Sequence, residues 1–149
     1  MTSPTDDEIR DLLARARRIA VVGLSADTSR PSHEVAAYLQ SVGYKILPVN
    51  PKYAGQTILG EPVVARVTDL DGPVDIVDLF RRAIDTPRPV DDAIVAGAGA
   101  IWMQLGIRND AVGQKAADAG LFVVMNRCIE MEHRRLIGSV RSIPNLPKT

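Results

Sequence analysis

A buried-strand pattern, a loop of small polar residues and a helix start follow one another in IAVVGLSADTSRPS, residues 19–32. This layout is typical of anion sites in α/β proteins, because the free N–H groups of a helix N-terminus attract phosphate. Gly23 would let a ligand approach the backbone closely. Ser25, Ser29 and Arg30 would offer two hydroxyl groups and a forked donor to phosphate oxygens. The stretch therefore predicts a phosphate-binding loop.

The loop lacks the motifs of the commonest nucleotide sites. After Gly23 there is no G-x-G-x-x-G dinucleotide pattern, and no Walker motif ending in G-K-[ST] is present. A NAD site also needs an acidic residue roughly 20 positions further on, to hold the ribose diol. The chain has Asn50, Pro51 and Lys52 there, which argues against NAD and leaves NADP open. Cations such as Lys52 and Arg81 instead suit a nucleotide with separated phosphate groups.

No set of residues in the sequence indicates a catalytic mechanism. Ser25 has no partner base and orienting acid that the sequence identifies. His133 is close to Glu130 and Glu132, but their spacing is not a known metal-ligand pattern, so we expect a solvated helix face and no metal site. Cys128 is either a buried inert thiol or a group that forms a mixed disulfide with a ligand thiol.

Composition and charge exclude several classes of protein. The 149 residues suffice for one domain with a core, and 18 basic residues balance 18 acidic ones. No overall field therefore favours nucleic acid or an anionic membrane. The single cysteine excludes an intramolecular disulfide, and no signal peptide or membrane-length apolar run is evident. We expect a cytoplasmic protein, a monomer or weak homodimer, that binds neither nucleic acid nor membranes.

Apolar periodicity predicts alternating strands and helices. Residues 1–17 predict an N-terminal helix, with capping-box spacing from Thr5 to Glu8. Strand-like runs follow at 18–23, 44–50, 74–80, 100–106 and 121–126, with a weaker edge candidate at 57–64. Trp102 is expected in the core. Between the strands we expect helices, one beginning after Pro89 and one capped by Asn109.

Strands that alternate with helices indicate a parallel sheet. We predict an α/β fold, a Rossmann-like, doubly wound, mainly parallel five-stranded sheet in the order 3-2-1-4-5, with helices on both faces. The single domain would span residues 18–138, with the helix of residues 1–17 packed on it and an irregular tail at 139–149. Ligands of such sheets bind beyond the carboxyl ends of the strands, at the switch point, here between the first strand and the strand at 74–80.

Several stretches together resemble the small stand-alone coenzyme A-binding proteins, whose fold is similar to the N-terminal domain of the succinyl-CoA synthetase alpha subunit. They are GLSADTSRPSHEVAAYLQSVGYKILPVNPKYAG, VDIVDLFRR, IWMQLGI and VVMNRCIEMEHRRL. The resemblance runs from about residue 18 to residue 136. One departure is Asn126, because many relatives have M-D-R-C-P where this chain has MNRCI.

The resemblance implies that coenzyme A is the ligand and that it lies extended in the crevice. The implied site residues are Gly23, Leu24, Ser25, Ser29 and Arg30 at the pyrophosphate, Val49, Asn50, Pro51 and Lys52 near the adenosine and its 3′-phosphate, Phe80 and Arg81 beside the crevice, and Gln104 by the pantetheine arm. Three functions remain open. The first is binding of coenzyme A or an acyl-CoA as a carrier, sensor or thiol protector, which the lack of a catalytic set favours. The others are a CoA-dependent transferase-type enzyme and an NADP-binding regulatory protein.

Overall fold

The computed structural model describes residues 2–138, so the predicted tail at 139–149 lies outside the described residues. The strands are β1 (Arg18–Val22), β2 (Lys45–Val49), β3 (Thr57–Ile58), β4 (Glu61–Pro62), β5 (Ile76–Leu79), β6 (Ala100–Met103) and β7 (Phe122–Val124). The helices are α1 (Asp6–Arg15), α2 (Pro31–Ser41), α3 (Pro87–Val95), α4 (Asp110–Asp118) and α5 (Ile129–Leu136). Strands and helices alternate along the chain, as the periodicity predicts.

The main sheet is wholly parallel and has the strand order β2-β1-β5-β6-β7. The α/β class and the Rossmann-like, doubly wound sheet are therefore confirmed. The predicted order 3-2-1-4-5 is wrong at both edges, because residues 57–64 add no strand beyond β2 and the run at 121–126 adds β7 beside β6. Residues 57–64 form the β3–β4 hairpin and meet β2 only at a bridge between Val49 and Val64.

Two prolines explain why β2 is an edge strand. The N–H of Val64 donates to the carbonyl of Pro48 at 3.1 Å, so the backbone of residue 48 faces away from β1. Pro48 has no N–H and cannot donate to a further strand on that side. Pro62 in β4 lacks the same donor. Pairing beyond β2 is therefore reduced to a single bridge.

The sheet is covered by helices on both faces. Ile19 and Val21 of β1 belong to a core that includes residues of α1, α2 and α5. Ala20 and Val22 belong to a second core that includes residues of α3 and α4. Such strands, apolar on both sides, are typical of parallel sheets. Trp102 lies fully buried in the first core, which confirms its predicted place.

Side-chain caps mark the starts of α1 and α4. In α1 the Glu8 N–H donates to Thr5 Oγ1 at 3.2 Å, and the Thr5 N–H donates back to the Glu8 carboxylate at 2.9 Å. Asn109 caps α4, because its Oδ1 accepts from the Val112 N–H at 3.2 Å. The start expected after Pro89 is wrong, since α3 begins at Pro87. The first helical turn needs no N–H donors, so it tolerates both prolines.

Because the strands are parallel, the loops after β1, β2 and β5 all lie at the carboxyl ends of the strands, with the switch point between β1 and β5. No helix within residues 2–138 is long and apolar enough to cross a membrane. In that same part of the chain, His, Cys, Asp and Glu side chains form no group of three or more that could hold a metal ion.

Candidate functional site

Backbone and amide hydrogen bonds tie together the loops that follow β1 and β2. The Gly23 N–H donates to the Val49 carbonyl at 2.8 Å. Asn50 donates through Nδ2 to the Leu24 carbonyl at 3.0 Å, and its Oδ1 accepts from the Lys52 N–H at 3.0 Å. Asn50 thus occupies the place of a NAD-binding acid but serves as a clamp between two loops.

The loop after β1 is organised by its own polar groups. The Ser25 N–H donates to Ser32 Oγ, and the Asp27 N–H donates to Ser25 Oγ, both at 3.0 Å. Ser29 donates through both its N–H and its hydroxyl to Asp27, which lowers the pKa of that carboxyl. Arg30 is exposed, with its Nε 3.9 Å from Asp27. The loop is therefore ordered before any ligand arrives.

Gly23 follows β1 and packs against Phe80, which follows β5. Its φ is +86°, a conformation that favours glycine. A Cβ atom on Gly23 would overlap the carbonyl oxygen of Phe80 and lie 3.3 Å from Nε of Arg81. The glycine therefore places the first loop directly against the end of β5.

A first cavity of about 610 Å³ opens between these loops. It is lined by Gly23, Ser25, Arg30, Pro31, Ser32, Asn50, Lys52, Tyr53, Phe80, Arg81, Arg82, Ala83, Gly106 and Ile107. Most of the residues predicted at the pyrophosphate and beside the crevice are thus brought together. Pro31 and Ser32 add the first turn of α2, which has no side-chain cap. Pro31 has no N–H, and the N–H groups of His33 and Glu34 donate to the Arg30 carbonyl, so the Ser32 N–H is the group of this turn that can face an anion.

A second cavity of about 650 Å³ lies beside the first, between the loop after β2 and the start of α3. It is lined by Val22, Val49, Pro51, Ala65, Arg66, Val67, Arg81, Ile84, Asp85, Pro87, Arg88, Pro89 and Asp92. Arg81 lines both cavities. The predicted residues of the segment 49–52 are therefore divided, with Val49 and Pro51 at the second cavity and Asn50 and Lys52 at the first.

Three predicted site residues do not line either cavity. Leu24 is fully buried and contributes only its carbonyl to the clamp with Asn50. Ser29 is exposed and donates two hydrogen bonds to Asp27 within the loop. Gln104 is also buried, and its Oε1 accepts from the Ile129 N–H at 3.1 Å at the start of α5. Cys128, next to Ile129, is partly buried against the core.

The cations at the cavities differ in how they are paired. Arg81 is partly buried and has no hydrogen bond or ion pair within residues 2–138. Arg82, by contrast, pairs with Asp85 at 2.9 Å. Lys52 places its Nζ 5.3 Å from the ring centre of Tyr53, whose pKa is lowered by a hydrogen bond with Ser25 and by the lysine charge. Arg81 is thus a central cation that is open to an anion.

Sequence reasoning did not find an ion pair in the second cavity. Arg66 donates through Nε and Nη2 to both carboxylate oxygens of Asp92, at 3.0 and 2.6 Å. The carboxylate is almost fully buried, whereas the guanidinium is exposed. Arg66 lies before a short 3₁₀ turn and Asp92 within α3, so no local sequence pattern connects them.

His133 and Asp78 are fully buried and line neither cavity. The prediction that His133 lies on a solvated helix face is wrong. It is fully buried, bonded through Nδ1 to the Tyr38 hydroxyl at 2.7 Å, and burial lowers its pKa to about 4. Asp78 on β5 is also fully buried without a hydrogen-bond partner in the described chain, and burial raises its pKa well above the ordinary value.

Asn126, where the resemblance leads us to expect an aspartate, holds two loops together. Its φ is +60°, which Asn tolerates better than most residues. Its Oδ1 accepts from the Gly106 N–H at 2.7 Å. Because Gly106 lines the first cavity, Asn126 positions one wall of that cavity without a charge.

A parallel sheet with two cation-lined cavities at its switch point defines a Rossmann-like domain that is suited to an extended anionic ligand. Residues 17–134 match the model of the CoA binding domain family. The chain belongs to this family.

The chain is also similar to a relative from Bacillus subtilis and to several solved structures. Protein YneT of Bacillus subtilis (strain 168) is 38% identical over 133 residues, which cover 89% of this chain and 97% of YneT. The structure of cell-free ID.343 from Thermus thermophilus is 41% identical with a TM-score of 0.86, over 89% of this chain and 99% of that one. Acetyl-coenzyme A synthetase 1 of Ca. Korarchaeum cryptofilum, solved with phosphate and ADP, shares the fold at 23% identity and a TM-score of 0.66, over 76% of this chain and 27% of the synthetase.

Proposed function

We propose that the protein binds coenzyme A or an acyl-CoA in extended form across the two adjoining cavities. The observation that carries this proposal is the position of Arg81, a partly buried guanidinium that lines both cavities and has no partner in the described chain. A half-buried unpaired charge is costly unless an anion offsets it. A ligand with a diphosphate at its middle and an arm on either side would supply that anion.

Coenzyme A has this distribution of charge. Its pyrophosphate lies between a pantetheine arm and an adenosine that carries a further phosphate. The pyrophosphate would contact Arg81, the Ser25 region and the first turn of α2, since all three line the first cavity. Arg30 would add an exposed contact at the rim.

The two arms would occupy different cavities. The second cavity offers the apolar surfaces of Val49, Pro51 and Ile84, which suit an adenine ring. The pantetheine arm would leave the first cavity past Gly106 and Ile107. This direction agrees with the expectation that the arm lies towards the end of β6, where Gln104 holds the start of α5.

A binding role, as carrier, sensor or thiol protector, is preferred to a transferase-type reaction. Ser25 and Ser32 donate to or accept from the loop itself, and neither forms a hydrogen bond with a histidine within residues 2–138. His133, the buried histidine, is bonded to Tyr38 instead. The second candidate, an enzyme acting on bound acyl-CoA, would need a second substrate to supply the reacting groups.

Calorimetric titration of the purified protein with coenzyme A, NAD and NADP tests the proposal. We expect coenzyme A to bind more tightly than either dinucleotide, and mass spectrometry under native conditions to detect the complex. Equal or tighter binding of NAD or NADP would contradict the assignment. Incubating the ligand-free protein with acetyl-CoA and a panel of small amine and alcohol acceptors, and following the release of free thiol, distinguishes the two candidate functions, since release faster than in the absence of protein would require an enzyme.

A further inference from the structure

The second cavity has more cationic groups than the binding of an uncharged adenine ring would require. Three arginines line it, Arg66, Arg81 and Arg88. We assign Arg81 to the pyrophosphate, which leaves two guanidinium groups beside a ring system that carries no charge at neutral pH. Asp85, the exposed carboxylate of this cavity, is already paired with Arg82 outside it.

Asp92 fixes the orientation of one of these arginines. Its two carboxylate oxygens accept hydrogen bonds from Nε and Nη2 of Arg66. Because Asp92 is part of α3, this two-point contact fixes the orientation of the guanidinium plane relative to that helix. Asp92 is 7% exposed and Arg66 is 45% exposed, so the pair presents the arginine to solvent and cavity. Within residues 2–138, Nη1 of Arg66 makes no hydrogen bond.

Arg88 supplies the second guanidinium. It lies in the first turn of α3 between two prolines, it is exposed, and it has no hydrogen bond or ion pair in the described part of the chain. The positive end of the helix dipole lies at the same turn. Arg66 and Arg88 therefore face one cavity from two different elements.

Lys52 is placed differently from these two arginines. From the sequence it is expected to read the 3′-phosphate of the adenosine. In the structure it lines the first cavity beside Tyr53, whereas its neighbours Val49 and Pro51 line the second. A phosphate on an adenosine held in the second cavity would thus meet the arginines of that cavity rather than Lys52.

We infer that Arg66 and Arg88 bind a phosphomonoester on the ribose of the bound adenosine, with Asp92 as the positioning residue of Arg66. In coenzyme A this group is the 3′-phosphate. It carries between one and two negative charges near neutral pH, which matches two guanidinium groups. The inference rests on the proposed function, because it takes the adenosine end of the ligand to lie in the second cavity.

The test compares affinities for coenzyme A and dephospho-coenzyme A, which lacks only the 3′-phosphate, at one fixed salt concentration. We expect the wild-type protein to prefer coenzyme A by about tenfold or more. Arg88→Ala should weaken coenzyme A about tenfold and leave dephospho-coenzyme A within about twofold. Lys52→Ala should leave the ratio of the two affinities unchanged. Arg15→Ala, which removes an exposed arginine of α1, is the matched control.

Two further variants test the positioning of Arg66. Arg66→Lys keeps the charge but loses the two-point fork, so the ratio of the two affinities should fall. Asp92→Ala should lower that ratio, and Asp92→Asn, which retains one acceptor for Nη2, should restore part of it. A merely structural role for Asp92 would weaken both ligands equally and leave the ratio unchanged, which would contradict its role as a positioning residue.

The outcomes separate the inference from the function on which it rests. If the wild-type protein binds neither form, the proposed function fails. The inference is overturned if the wild-type protein binds both forms and Arg88→Ala and Arg66→Lys keep the wild-type preference for coenzyme A over dephospho-coenzyme A, while Lys52→Ala removes that preference. Lys52 would then bind the 3′-phosphate. Titration with adenosine 3′,5′-bisphosphate and with adenosine 2′,5′-bisphosphate shows whether the bound phosphate belongs to coenzyme A or to NADP. Tighter binding of the 3′ isomer supports coenzyme A, and tighter binding of the 2′ isomer would overturn its assignment in favour of NADP.

Discussion

The backbone carbonyl of Phe80 occupies the space that a Cβ atom on Gly23 would need. The first loop and the end of β5 are therefore in direct contact at the switch point. From the sequence, Gly23 is expected to leave room for a ligand. The structure shows that it first leaves room for the protein itself, and the Arg81 side chain lies beside the same contact.

Gly23→Ala should destabilise the fold more than an ordinary glycine substitution. The positive φ and the overlap with Phe80 together should lower the free energy of unfolding by about 2 to 4 kcal/mol. Gly120→Ala is the control, because Gly120 has a φ of +92° but no atom lies within 4 Å of the position that its new methyl group would take. It should lose only about 1 kcal/mol. Urea unfolding measures both, and equal losses would show that β1 and β5 relax around the methyl group.

Arg81→Ala should weaken coenzyme A and dephospho-coenzyme A by similar factors, since both contain the pyrophosphate. Loss of a charge-assisted contact from a partly buried arginine corresponds to about 1.5 to 3 kcal/mol of binding free energy. Arg30→Ala should cost less, because that side chain is 69% exposed and lies 3.9 Å from Asp27. Calorimetry at one fixed salt concentration checks which of the two variants, Arg81→Ala or Arg30→Ala, loses more binding free energy. A larger loss for Arg30→Ala would mean that the exposed arginine, not Arg81, anchors the diphosphate.

The parts of the fold that the sequence predicts correctly depend on local patterns. The apolar runs of β1 and β5 and the capping groups Thr5 and Asn109 act over a few residues, so periodicity and spacing identify them. The hydrogen bonds of the loop after β1 also join residues that are close in the sequence. Its serines and Asp27 bond almost entirely to one another.

The parts that the sequence does not predict depend on pairing between distant segments. The sheet edge at β2 follows from the direction in which Pro48 faces, which only the register with β1 determines. The Arg66–Asp92 pair joins a loop to α3 across the second cavity. The burial of His133 depends on how α5 packs against α2, because a charged helix such as IEMEHRRL has no pattern that reveals which polar residue faces inward.

Acid should destabilise the protein through His133. Its pKa is about 4 in the folded protein, because of burial and the nearby Arg134 charge, and close to 6.5 when unfolded. Protonation would also add a second N–H donor, and the buried Nε2 has no partner within the described residues. The stabilisation is therefore complete above pH 6.5 and is lost as the pH falls towards 4.

The check is the free energy of unfolding measured between pH 7 and pH 4.5. His133→Gln does not titrate, so its stability should fall less steeply over this range than that of the wild-type protein. His33→Gln removes the other histidine and should retain the steep loss that His133 causes. If His133→Gln and the wild-type protein have parallel pH profiles, the buried histidine does not control acid stability.

The contribution of Asp78 to the free energy of unfolding should have the opposite pH dependence. It lies between Val21 and Trp102 in the sheet register, and burial raises its pKa well above the ordinary value near 4. The folded protein therefore keeps a proton that the unfolded chain releases, so stability is lost as the pH rises from about 4 towards the raised pKa. Asp78→Asn does not ionise and should gain stability relative to the wild-type protein from pH 5 to pH 8, by at most about 1.4 kcal/mol per pH unit.

A neighbouring aspartate provides the control for Asp78→Asn. Asp75 accepts the backbone N–H groups of Arg17 and Arg18 at 2.8 and 2.9 Å, so Asp75→Ala should destabilise the protein at every pH tested. Because Asp78 lines neither cavity, Asp78→Asn should bind coenzyme A as tightly as the wild-type protein does. A loss of affinity in the folded variant would mean that the buried carboxyl acts on the site through Phe80 and Arg81, which follow it closely in the chain.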